Sequence, residues 1–411
     1  MDILYLCHRF PYPPQNGGKI RSFNMIRHLS AQGHRVTVCS PVRSAAEAQE
    51  GAGIAPFCTA WETAPVKEWV QALRMLARLP STTPSSMGYF HSSRLRRRVH
   101  ELLVRQHWDL IMVHCSSVAP YVEHVRDVPK ILDFCDMDSQ KWLEFARYKP
   151  FPLSLGYRLE GRKMVAAERR LAQRFDLSTV TTRAEWETLQ GLGSGAATDW
   201  FPMGVDAEYF CPGQGDHEAD TISFIGRMDY YPNSECMVRF CAETWPLLKA
   251  RRPALQLLIV GADPSPEVRR LAELPGVTVT GSVPDVRPFV RRSALMVAPL
   301  KIARGTQNKI LEAMAMGVPV VTSSIAAGGV DAQAPEHLLV ADGPEETCAA
   351  ILRILEQPEE RRRLSLAGRA RVLSHHSWEQ AMQRLDRMIE RCVAGKGNGA
   401  RNPAAALGQA G

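Results

Sequence analysis

The chain has 411 residues, of which 45% are hydrophobic and 23% charged, and its formal net charge is +7. This length exceeds what a single hydrophobic core ordinarily serves, so the sequence predicts two domains. The basic balance favours a polyanionic partner, such as nucleotide phosphates or an anionic membrane surface, and does not require nucleic acid. The ten cysteines stand singly, without a CxxC pair, and therefore indicate neither a zinc site nor a disulfide framework.

The chain begins with DILYLC at residues 2–7, a short apolar run ended by a loop rich in proline and glycine. This run lacks the basic start of a signal peptide and predicts a strand. Residues 19–33 then repeat apolar side chains at helical spacing, and HRVTVCS follows as a second strand, which completes one βαβ unit. No apolar run approaches the ~20 residues that span a bilayer, so we expect a cytoplasmic protein.

Further apolar runs at 110–114, 130–134 and 178–182 alternate with helical stretches and predict a parallel sheet with helices on both faces. A turn-rich stretch at 201–220 predicts a hinge, after which the alternation restarts. We therefore predict an α/β chain of two Rossmann-like, doubly wound domains that face a central cleft. The predicted parts are a first domain at 1–203, a second domain at 204–375, a C-terminal helix at 376–392 that packs back on the first domain, and a disordered tail at 393–411.

The segment ARGTQNKILEAMAMG follows a predicted strand and has the pattern of an amphipathic helix. We expect this helix to start near Thr306, a good N-cap, and to run to Met316. Its free N–H groups and its dipole would bind an anion, best of all a diphosphate, and Gly305 would let the backbone come close. Glu312, roughly 9 Å further along the axis, would then reach ribose hydroxyls. The alternative is a solvated glutamate after an ordinary turn.

Other candidate site residues end predicted strands. Arg227 closes TISFIGR, where a guanidinium grips a diphosphate bidentately, unless it is an ordinary surface arginine. His114 ends LIMVH and would position an acceptor hydroxyl or take its proton, unless it is a capped structural histidine. Asp133, Asp136 and Asp138 follow the next strand as candidate hydroxyl ligands or helix caps. No spacing resembles a metal cluster, so we assign no metal.

Gly17 and Gly18 lie in the predicted loop after the first strand. The loop is not a Walker P-loop, because Pro13 stands where glycine is required and Ile20 stands where serine or threonine is required. It is not a GxGxxG fingerprint either, which disfavours a dinucleotide-dependent dehydrogenase. The plain alternative is a turn that leads into the helix.

Several motifs stand in the order of one family. LEAMAMGVPVV resembles the donor-site signature of the retaining GT-B glycosyltransferases of family 4, and GGKIRSFNMIRHLSAQGHRVTV resembles their N-terminal glycine loop and first helix. FPMGVDAEYF resembles their hinge, FIGRM their phosphate-arginine strand end, and GSVPDV the loop near the base. The resemblance covers residues 1–392. The stretches GRMDYYPN, ARGTQNKILEAMAMG and DFCDMDSQKW are similar to the exopolysaccharide sugar transferases of bacterial PEP-CTERM/EpsH-type systems.

This resemblance implies an enzyme that moves a sugar, with retention, from a nucleotide-diphosphate sugar to a carbohydrate or lipid-linked acceptor in the synthesis of exopolysaccharide or another cell-surface glycan. It places the acceptor in the first domain and the donor in the second, and requires no metal or other cofactor. The implied catalytic residues are Arg227, Glu312 and His114. The implied donor-site residues are Gly17, Gly18, Gly226, Arg227, Val283, Arg304, Gly305, Thr306, Gln307, Asn308, Lys309 and Glu312. The implied acceptor-site residues are Lys19, His114 and Asp136.

Two positions depart from the family pattern. Arg304 replaces a glutamate that contacts the donor sugar, which reverses the local charge and leaves the identity of the sugar open. The lysine that usually follows the phosphate arginine is missing, with YYPN in its place, and Lys301, Arg304 or Lys309 would supply its charge. Arg304 therefore keeps open a catalytically silent, nucleotide-sugar-binding scaffold of a polysaccharide assembly system. A nucleotide-sugar epimerase of the same architecture is a further alternative.

Residues 91–105 gather five arginines on a predicted helix with leucine and valine on one face. We expect this face to pack into the core. A secondary use would be peripheral contact with an anionic membrane, at the inner face of the cytoplasmic membrane.

Overall fold

The computed structural model describes residues 1–14, 17–215 and 217–401. The chain divides into two compact units. Unit 1 comprises residues 1–201 and the chain from Met382 onward, and unit 2 comprises residues 202–381. The chain thus first passes from unit 1 to unit 2 after residue 201, whereas the sequence predicts that the first domain ends at residue 203. Among the described residues, no helix combines the length and the apolar composition that a membrane span requires.

Unit 1 is built on a seven-stranded parallel sheet. Its strands are β1 (Asp2–Cys7), β2 (Arg35–Val42), β3 (Ala60–Pro65), β4 (Leu110–His114), β5 (Lys130–Cys135), β6 (Leu177–Val180) and β7 (Thr198–Trp200). The order across the sheet is β3-β2-β1-β4-β5-β6-β7. The chain therefore adds strands outward on one side of β1 up to β3, and then on its other side from β4 to β7. Such a reversal opens a crevice outside the carboxyl ends of the strands, where open α/β sheets bind ligands.

Helices cover this sheet. They are α1 (Gly17–Ala31), α2 (Ala45–Glu50), α3 (Glu68–Ala77), α4 (Ser85–Tyr89), α5 (Ser93–Arg105), α6 (Asp138–Tyr148), α7 (Leu153–Ala172) and α8 (Arg183–Gly191). The inner strands are buried on both faces, which is why β1 and β4 read as continuous apolar runs. Helix α1 buries Phe23, Ile26 and Leu29 at helical spacing. Helix α5 buries Leu95 and Val99, which agrees with the predicted core packing of its apolar face.

Unit 2 contains a six-stranded parallel sheet. Its strands are β8 (Glu218–Ile225), β9 (Gln256–Val260), β10 (Val277–Gly281), β11 (Ser293–Ala298), β12 (Val320–Thr322) and β13 (Leu339–Val340). The order is β10-β9-β8-β11-β12-β13, and the winding reverses between β8 and β11. The second half of the chain therefore repeats the architecture of the first, as the alternation of strands and helices predicts.

The helices of the second half complete the layers. They are α9 (Tyr231–Glu243), α10 (Trp245–Arg251), α11 (Pro266–Arg270), α12 (Arg287–Arg291), α13 (Asn308–Ala315), α14 (Ser324–Ala327), α15 (Pro344–Glu356), α16 (Pro358–His375) and α17 (Trp378–Arg401). Over residues 233–250 the sequence predicts one helix, whereas the structure has two, α9 and α10. The chain breaks between them because Pro246 cannot donate a backbone hydrogen bond and opens the second helix instead.

Helix α17 continues through Arg401, so the disordered tail predicted from residue 393 is wrong over 393–401. Residues 402–411 lie outside the described residues. Within unit 1 the helix has polar partners: Nε2 of His28 lies 2.8 Å from Oδ1 of Asp386, and Nζ of Lys396 lies 2.8 Å from Oδ1 of Asp176. Lys396 lies in the predicted tail, which is poor in apolar residues. Its ion pair is a contact that the composition of this segment does not reveal.

Candidate functional site

In unit 2 the predicted donor residues gather outside the carboxyl ends of β8 and β11. Gly226 follows β8 directly, and Gly261 follows the neighbouring β9. Their backbones touch: the N–H of Gly226 donates to the carbonyl of Val260 (N···O 3.1 Å), and a Cβ on Gly261 would lie 1.8 Å from the carbonyl oxygen of Gly226. Only glycine at 261 permits this approach, which fixes the direction in which the chain leaves β8.

Arg227, the predicted diphosphate ligand, leaves 63% of its side chain exposed. Its guanidinium donates to Asp229 from Nε (3.0 Å) and Nη2 (2.7 Å), and to Asp263 from Nη2 (2.8 Å). The hydrogen bonds between Arg227 and Asp229 raise the pKa of the arginine and lower the pKa of the aspartate. Both carboxylates occupy donors that a diphosphate would need, so an anionic ligand competes with them.

Helix α13 forms the other edge of this site. It runs from Asn308 to Ala315, with its N-cap at Gln307, one residue after the predicted N-cap at Thr306, and its C-cap at Met316, where the sequence predicts the end. The start is delayed because Gln307 keeps a non-helical backbone, with φ −90° and ψ 79°. The loop after β11 is therefore longer than the sequence predicts, and Glu312 lies closer to the amino end of the helix.

The loop before α13 is held by its own backbone and by Gln307. The side-chain Nε2 of Gln307 donates to the carbonyls of Arg304 (3.1 Å) and Gly305 (3.4 Å). Gly305 has a left-handed φ of 61°, and a Cβ on Gly329 would lie 2.2 Å from its carbonyl oxygen. Within the described residues no side chain caps α13, which leaves the N–H groups of Asn308 and Lys309 available to an anion.

Lys309 joins α13 to the loop after β8. Its Nζ donates to Oδ1 of Asn233 (2.5 Å), and Nδ2 of Asn233 donates to the carbonyl of Arg227 (2.8 Å). Three residues were candidates to supply the charge of the missing lysine. The structure brings Lys309 to this loop, whereas the side chains of Lys301 and Arg304 are exposed. Asn233 was not predicted, because in the sequence it appears only as the last residue of YYPN, where a lysine is absent.

Lys309 and Glu312 lie one turn apart on α13, and both are half-buried. Burial lowers the pKa of Lys309 to about 8 and raises the pKa of Glu312 to about 7, and the attraction between the two groups offsets part of each change. Ionisable groups that lie close together and whose pKa values are shifted by burial are typical of ligand sites. The remaining donor prediction in this unit, Val283, packs partly buried against the hydrophobic core.

In unit 1 a cavity of about 140 Å³ opens outside the carboxyl ends of β1, β2 and β3. It is lined by His8, Arg9, Lys19, Pro41, Arg43, Glu47, Val66 and Phe90. Of these residues, only Lys19 was predicted as a site residue. The others come from four separate loops and helices, so no sequence motif gathers them.

The charges in this cavity are unequal. The one carboxylate, on Glu47, lies 3.1 Å from Nζ of Lys19 and accepts from the backbone N–H of Arg43 (2.8 Å). Nε of Arg9 and Nδ1 of His8 are buried and have no hydrogen-bond partner among the described residues. Burial, reinforced by neighbouring positive charge, lowers the pKa of both Arg9 and His8. The cavity therefore favours an anionic group.

Lys19 follows Gly17 and Gly18, which the sequence wrongly places in the loop before α1. Gly17 and Gly18 are the first residues of α1 and do not lie in the loop before it. Residues 15–16 of the predicted loop lie outside the described residues. Glycines in the first turn of a helix leave its backbone open, and Lys19 in the same turn lines the cavity.

His114 ends β4 and is 1% exposed. Its Nδ1 lies 2.9 Å from Oδ2 of Asp133, and its Nε2 is buried without a hydrogen-bond partner in the described part of the chain. Asp133 also accepts from Nε (2.8 Å) and Nη2 (3.1 Å) of Arg21 and from Oγ1 of Thr179 (3.0 Å). Burial alone would raise the pKa of Asp133, but Arg21 and His114 outweigh it and hold the pKa far below its ordinary value.

Asp133 is thus fully engaged inside the unit, and its predicted role as an acceptor ligand is wrong. It orients His114 instead, and Arg21, which the sequence does not single out, holds Asp133. Asp136 remains a candidate: it accepts from Oγ1 of Thr181 (3.0 Å), and burial raises its pKa. Asp138 is the first residue of α6 and not its cap, since the N-cap is Met137, and burial raises the pKa of Asp138 to about 6.

Two doubly wound units, each with polar residues at the reversal of its strand order, define an architecture of two Rossmann-like domains. Residues 16–202 match the family model of the glycosyl transferase 4-like domain, and residues 219–357 match that of the glycosyl transferases group 1. The chain belongs to these glycosyltransferases, and its fold is the GT-B fold.

Relatives and solved structures agree with this placement. A GDP-mannose-dependent monoacylated alpha-(1-6)-phosphatidylinositol monomannoside mannosyltransferase of Corynebacterium glutamicum is 26% identical over 221 residues, which are 48% of this chain and 58% of that protein. The alignments thus span about half the length of the curated relatives. Sucrose-phosphate synthase from Thermosynechococcus elongatus is 18% identical, with a TM-score of 0.69 over 96% of this chain and 100% of that structure. Anabaena HepE in complex with UDP is 14% identical, with a TM-score of 0.68 over 95% of this chain and 100% of that structure.

Proposed function

We propose that the protein is a retaining glycosyltransferase that moves a sugar from a nucleotide-diphosphate sugar to a glycan or lipid-linked acceptor. The observation that carries this proposal is the junction of α13 with the loop after β8. There Lys309, Asn233 and the backbone of Arg227 form one hydrogen-bonded chain beside the uncapped amino end of a helix. Such a place suits a diphosphate, with a ribose within reach of Glu312.

The donor half would work by stabilising the leaving nucleotide. As the bond between the sugar carbon and the phosphate oxygen breaks, negative charge grows on the diphosphate. Arg227 would exchange Asp229 and Asp263 for the phosphate oxygens, while Lys309 and the N–H groups of α13 add positive charge. Because these groups supply the electrostatic stabilisation, we propose that no metal is required.

The acceptor half is proposed to lie in unit 1. In front-side attack the acceptor oxygen bonds to the sugar carbon on the face that the phosphate leaves, and the departing phosphate takes the acceptor proton. His114, oriented by Asp133, would position that hydroxyl through Nε2. Since this nitrogen is buried, His8 or another neighbour must move before a hydroxyl reaches it. Lys19 and Asp136 remain proposed acceptor contacts.

The acceptor and the pathway are finer proposals. The basic cavity of unit 1 supports an acceptor with an anionic group, such as the phosphate of a lipid-linked glycan. The stretches similar to PEP-CTERM/EpsH-associated transferases favour a role in bacterial exopolysaccharide or cell-surface glycan synthesis, in the cytoplasm and at the inner face of the membrane. For the donor, the relatives suggest GDP-mannose or a UDP-sugar as the first candidates.

The test is donor turnover by the purified chain. UDP-, GDP- and ADP-sugars are first screened by thermal shift, because a bound donor stabilises the folded state. Release of nucleoside diphosphate is then followed with the stabilising donor, and the anomeric configuration of the product shows retention or inversion. Arg227→Ala and Glu312→Ala should abolish turnover, whereas Arg270→Ala, an exposed arginine of α11, should not.

Two rival functions predict other results. A catalytically silent scaffold, favoured by Arg304 and by the paired state of Arg227, would bind a donor without turning it over against any membrane extract. An epimerase would convert the donor into its epimer without an acceptor. Release of nucleoside diphosphate that depends on Glu312 contradicts both rivals.

A further inference from the structure

Helix α3 of unit 1 turns its apolar face outward. Trp69, Leu73 and Leu76 recur at the spacing of one helical face, and they are 65%, 56% and 61% exposed. In an ordinary amphipathic surface helix these side chains would face the core. Large apolar side chains that remain together at a surface mark an interaction site.

The opposite face of α3 explains this orientation. Gln71 is buried, and its Nε2 donates to the carbonyl of His91 (3.3 Å). Nη1 of Arg74 donates to the same carbonyl (2.6 Å). The helix is thus fixed to the unit by its polar side, and its apolar side is left for a partner.

The start of α7 and the turn before it extend this surface. Phe151, Leu155 and Leu159 are 82%, 60% and 46% exposed. Leu155, Leu159 and Lys163 follow one another at intervals of one turn, and Nζ of Lys163 donates to the carbonyl of Leu79 (2.7 Å), just after α3. This hydrogen bond brings α7 next to the end of α3. The apolar patch consists of Trp69, Leu73, Leu76, Leu79, Phe151, Leu155 and Leu159.

Among the side chains that the structure describes, the charged ones that flank the apolar patch in the sequence are basic, apart from Glu160. The basic ones are Lys67, Arg78, Arg147, Lys149, Arg158, Arg162 and Lys163. The acidic residue in the first half of α7, Glu160, is buried and accepts from the backbone N–H groups of Ser85 and Ser86. The apolar patch therefore has a basic rim, and the acidic group beside it is turned inward.

We propose that the apolar patch and its basic rim dock unit 1 on an anionic bilayer surface. Tryptophan, phenylalanine and leucine would enter the boundary between headgroups and acyl chains, while lysine and arginine meet the anionic headgroups. A second copy of the chain fits less well, because a twofold pair would bring two basic rims together. Helix α5 would meet a membrane mainly through its arginines, because its Leu95 and Val99 are buried, and that contact stays a prediction.

This proposal rests on the proposed function and specifies how its membrane contact is made. It does not depend on sugar transfer, so the test uses no donor. The full chain is sedimented with vesicles of phosphatidylcholine alone or with about 30% phosphatidylglycerol. The wild type should bind only the anionic vesicles. Leu73→Ser/Leu76→Ser should bind at least about tenfold more weakly. The matched control is Leu366→Ser/Leu373→Ser, which changes two exposed leucines of α16 in unit 2 and should bind as the wild type does.

A second variant and a mass measurement decide the remaining cases. Arg158→Gln/Arg162→Gln, both exposed, should weaken binding to anionic vesicles and lower its sensitivity to salt. If the leucine variant does not fold, this variant alone tests the surface. The proposal is overturned if the wild type binds neither vesicle, or if both variants bind as it does. It is also overturned if light scattering shows a wild-type dimer that the leucine variant dissociates.

Discussion

Replacing Glu312 by glutamine removes a half-buried charge and keeps the shape of the side chain. Burial raises the pKa of Glu312 in the folded chain to about 7, against an ordinary value of 4.5. The folded state therefore holds this proton more tightly than the unfolded state does. The stabilisation by the protonated form is complete below about pH 4.5 and is lost as the pH rises through about 7. At about 1.4 kcal/mol per pH unit, the carboxylate costs the folded state about 3 kcal/mol at pH 8.

Glu312→Gln should remove this cost. The variant should gain less than about 1 kcal/mol over the wild type at pH 5 and about 3 kcal/mol at pH 8. For a unit of this size, about 1 kcal/mol shifts the melting temperature by about 2–4 °C, so the variant should melt about 6–12 °C higher at pH 8. Scanning calorimetry of both proteins between pH 5 and 8 measures the difference.

Glu356→Gln, an exposed glutamate at the end of α15, serves as the control and should change little at either pH. A gain of Glu312→Gln that is equal at pH 5 and 8 would refute the reasoning, as would a loss of stability at pH 8. The stabilised variant should also bind its nucleotide sugar at least about tenfold more weakly, because the amide cannot make charge-assisted hydrogen bonds to ribose hydroxyls.

Two further changes test the donor site. Asp263→Asn removes one competitor for Arg227 and should tighten binding of UDP or GDP about two- to fivefold in calorimetric titration, and unchanged affinity would mean that Asp263 does not compete. Gly329→Ala would place a Cβ 2.2 Å from the carbonyl oxygen of Gly305 and should weaken nucleotide binding at least about tenfold, whereas Gly328→Ala, whose nearest neighbour would lie at 3.5 Å, should bind normally. Equal affinities for the two alanine variants would contradict the role of this backbone contact.

The strands and the carboxyl-end residues could be predicted because burial leaves a direct trace in the sequence. β1 and β4 are apolar except at Asp2 and His114, and the residues at the ends of such strands must lie at one edge of the sheet. This is why Arg227 and His114 could be placed at the carboxyl edge of a sheet without coordinates.

The boundaries of α13 could not be predicted in the same way. Thr306 is a better capping residue than Gln307, but Gln307, whose side chain donates to the preceding loop, is the residue at the N-cap. Local preference was overruled by a local contact that no composition rule contains.

The basic cavity of unit 1 was missed because its members are distant in sequence. Arg9 and Arg43 follow different strands, and in the sequence each alone has the pattern of an ordinary surface residue. The outward face of α3 was missed for another reason, since periodicity shows that a helix has an apolar side but not that its polar side will be the one held by the unit.

The path of the chain through the two units constrains how the protein can be made and divided. The chain leaves unit 1 after residue 201, builds all of unit 2, and returns at Met382 to finish unit 1 with most of α17. During synthesis unit 1 cannot be complete until unit 2 has left the ribosome. A fragment cut near residue 201 would lack the acidic partner of His28 and the ammonium beside Asp176, so separate production of the first half should give a poorly soluble polypeptide.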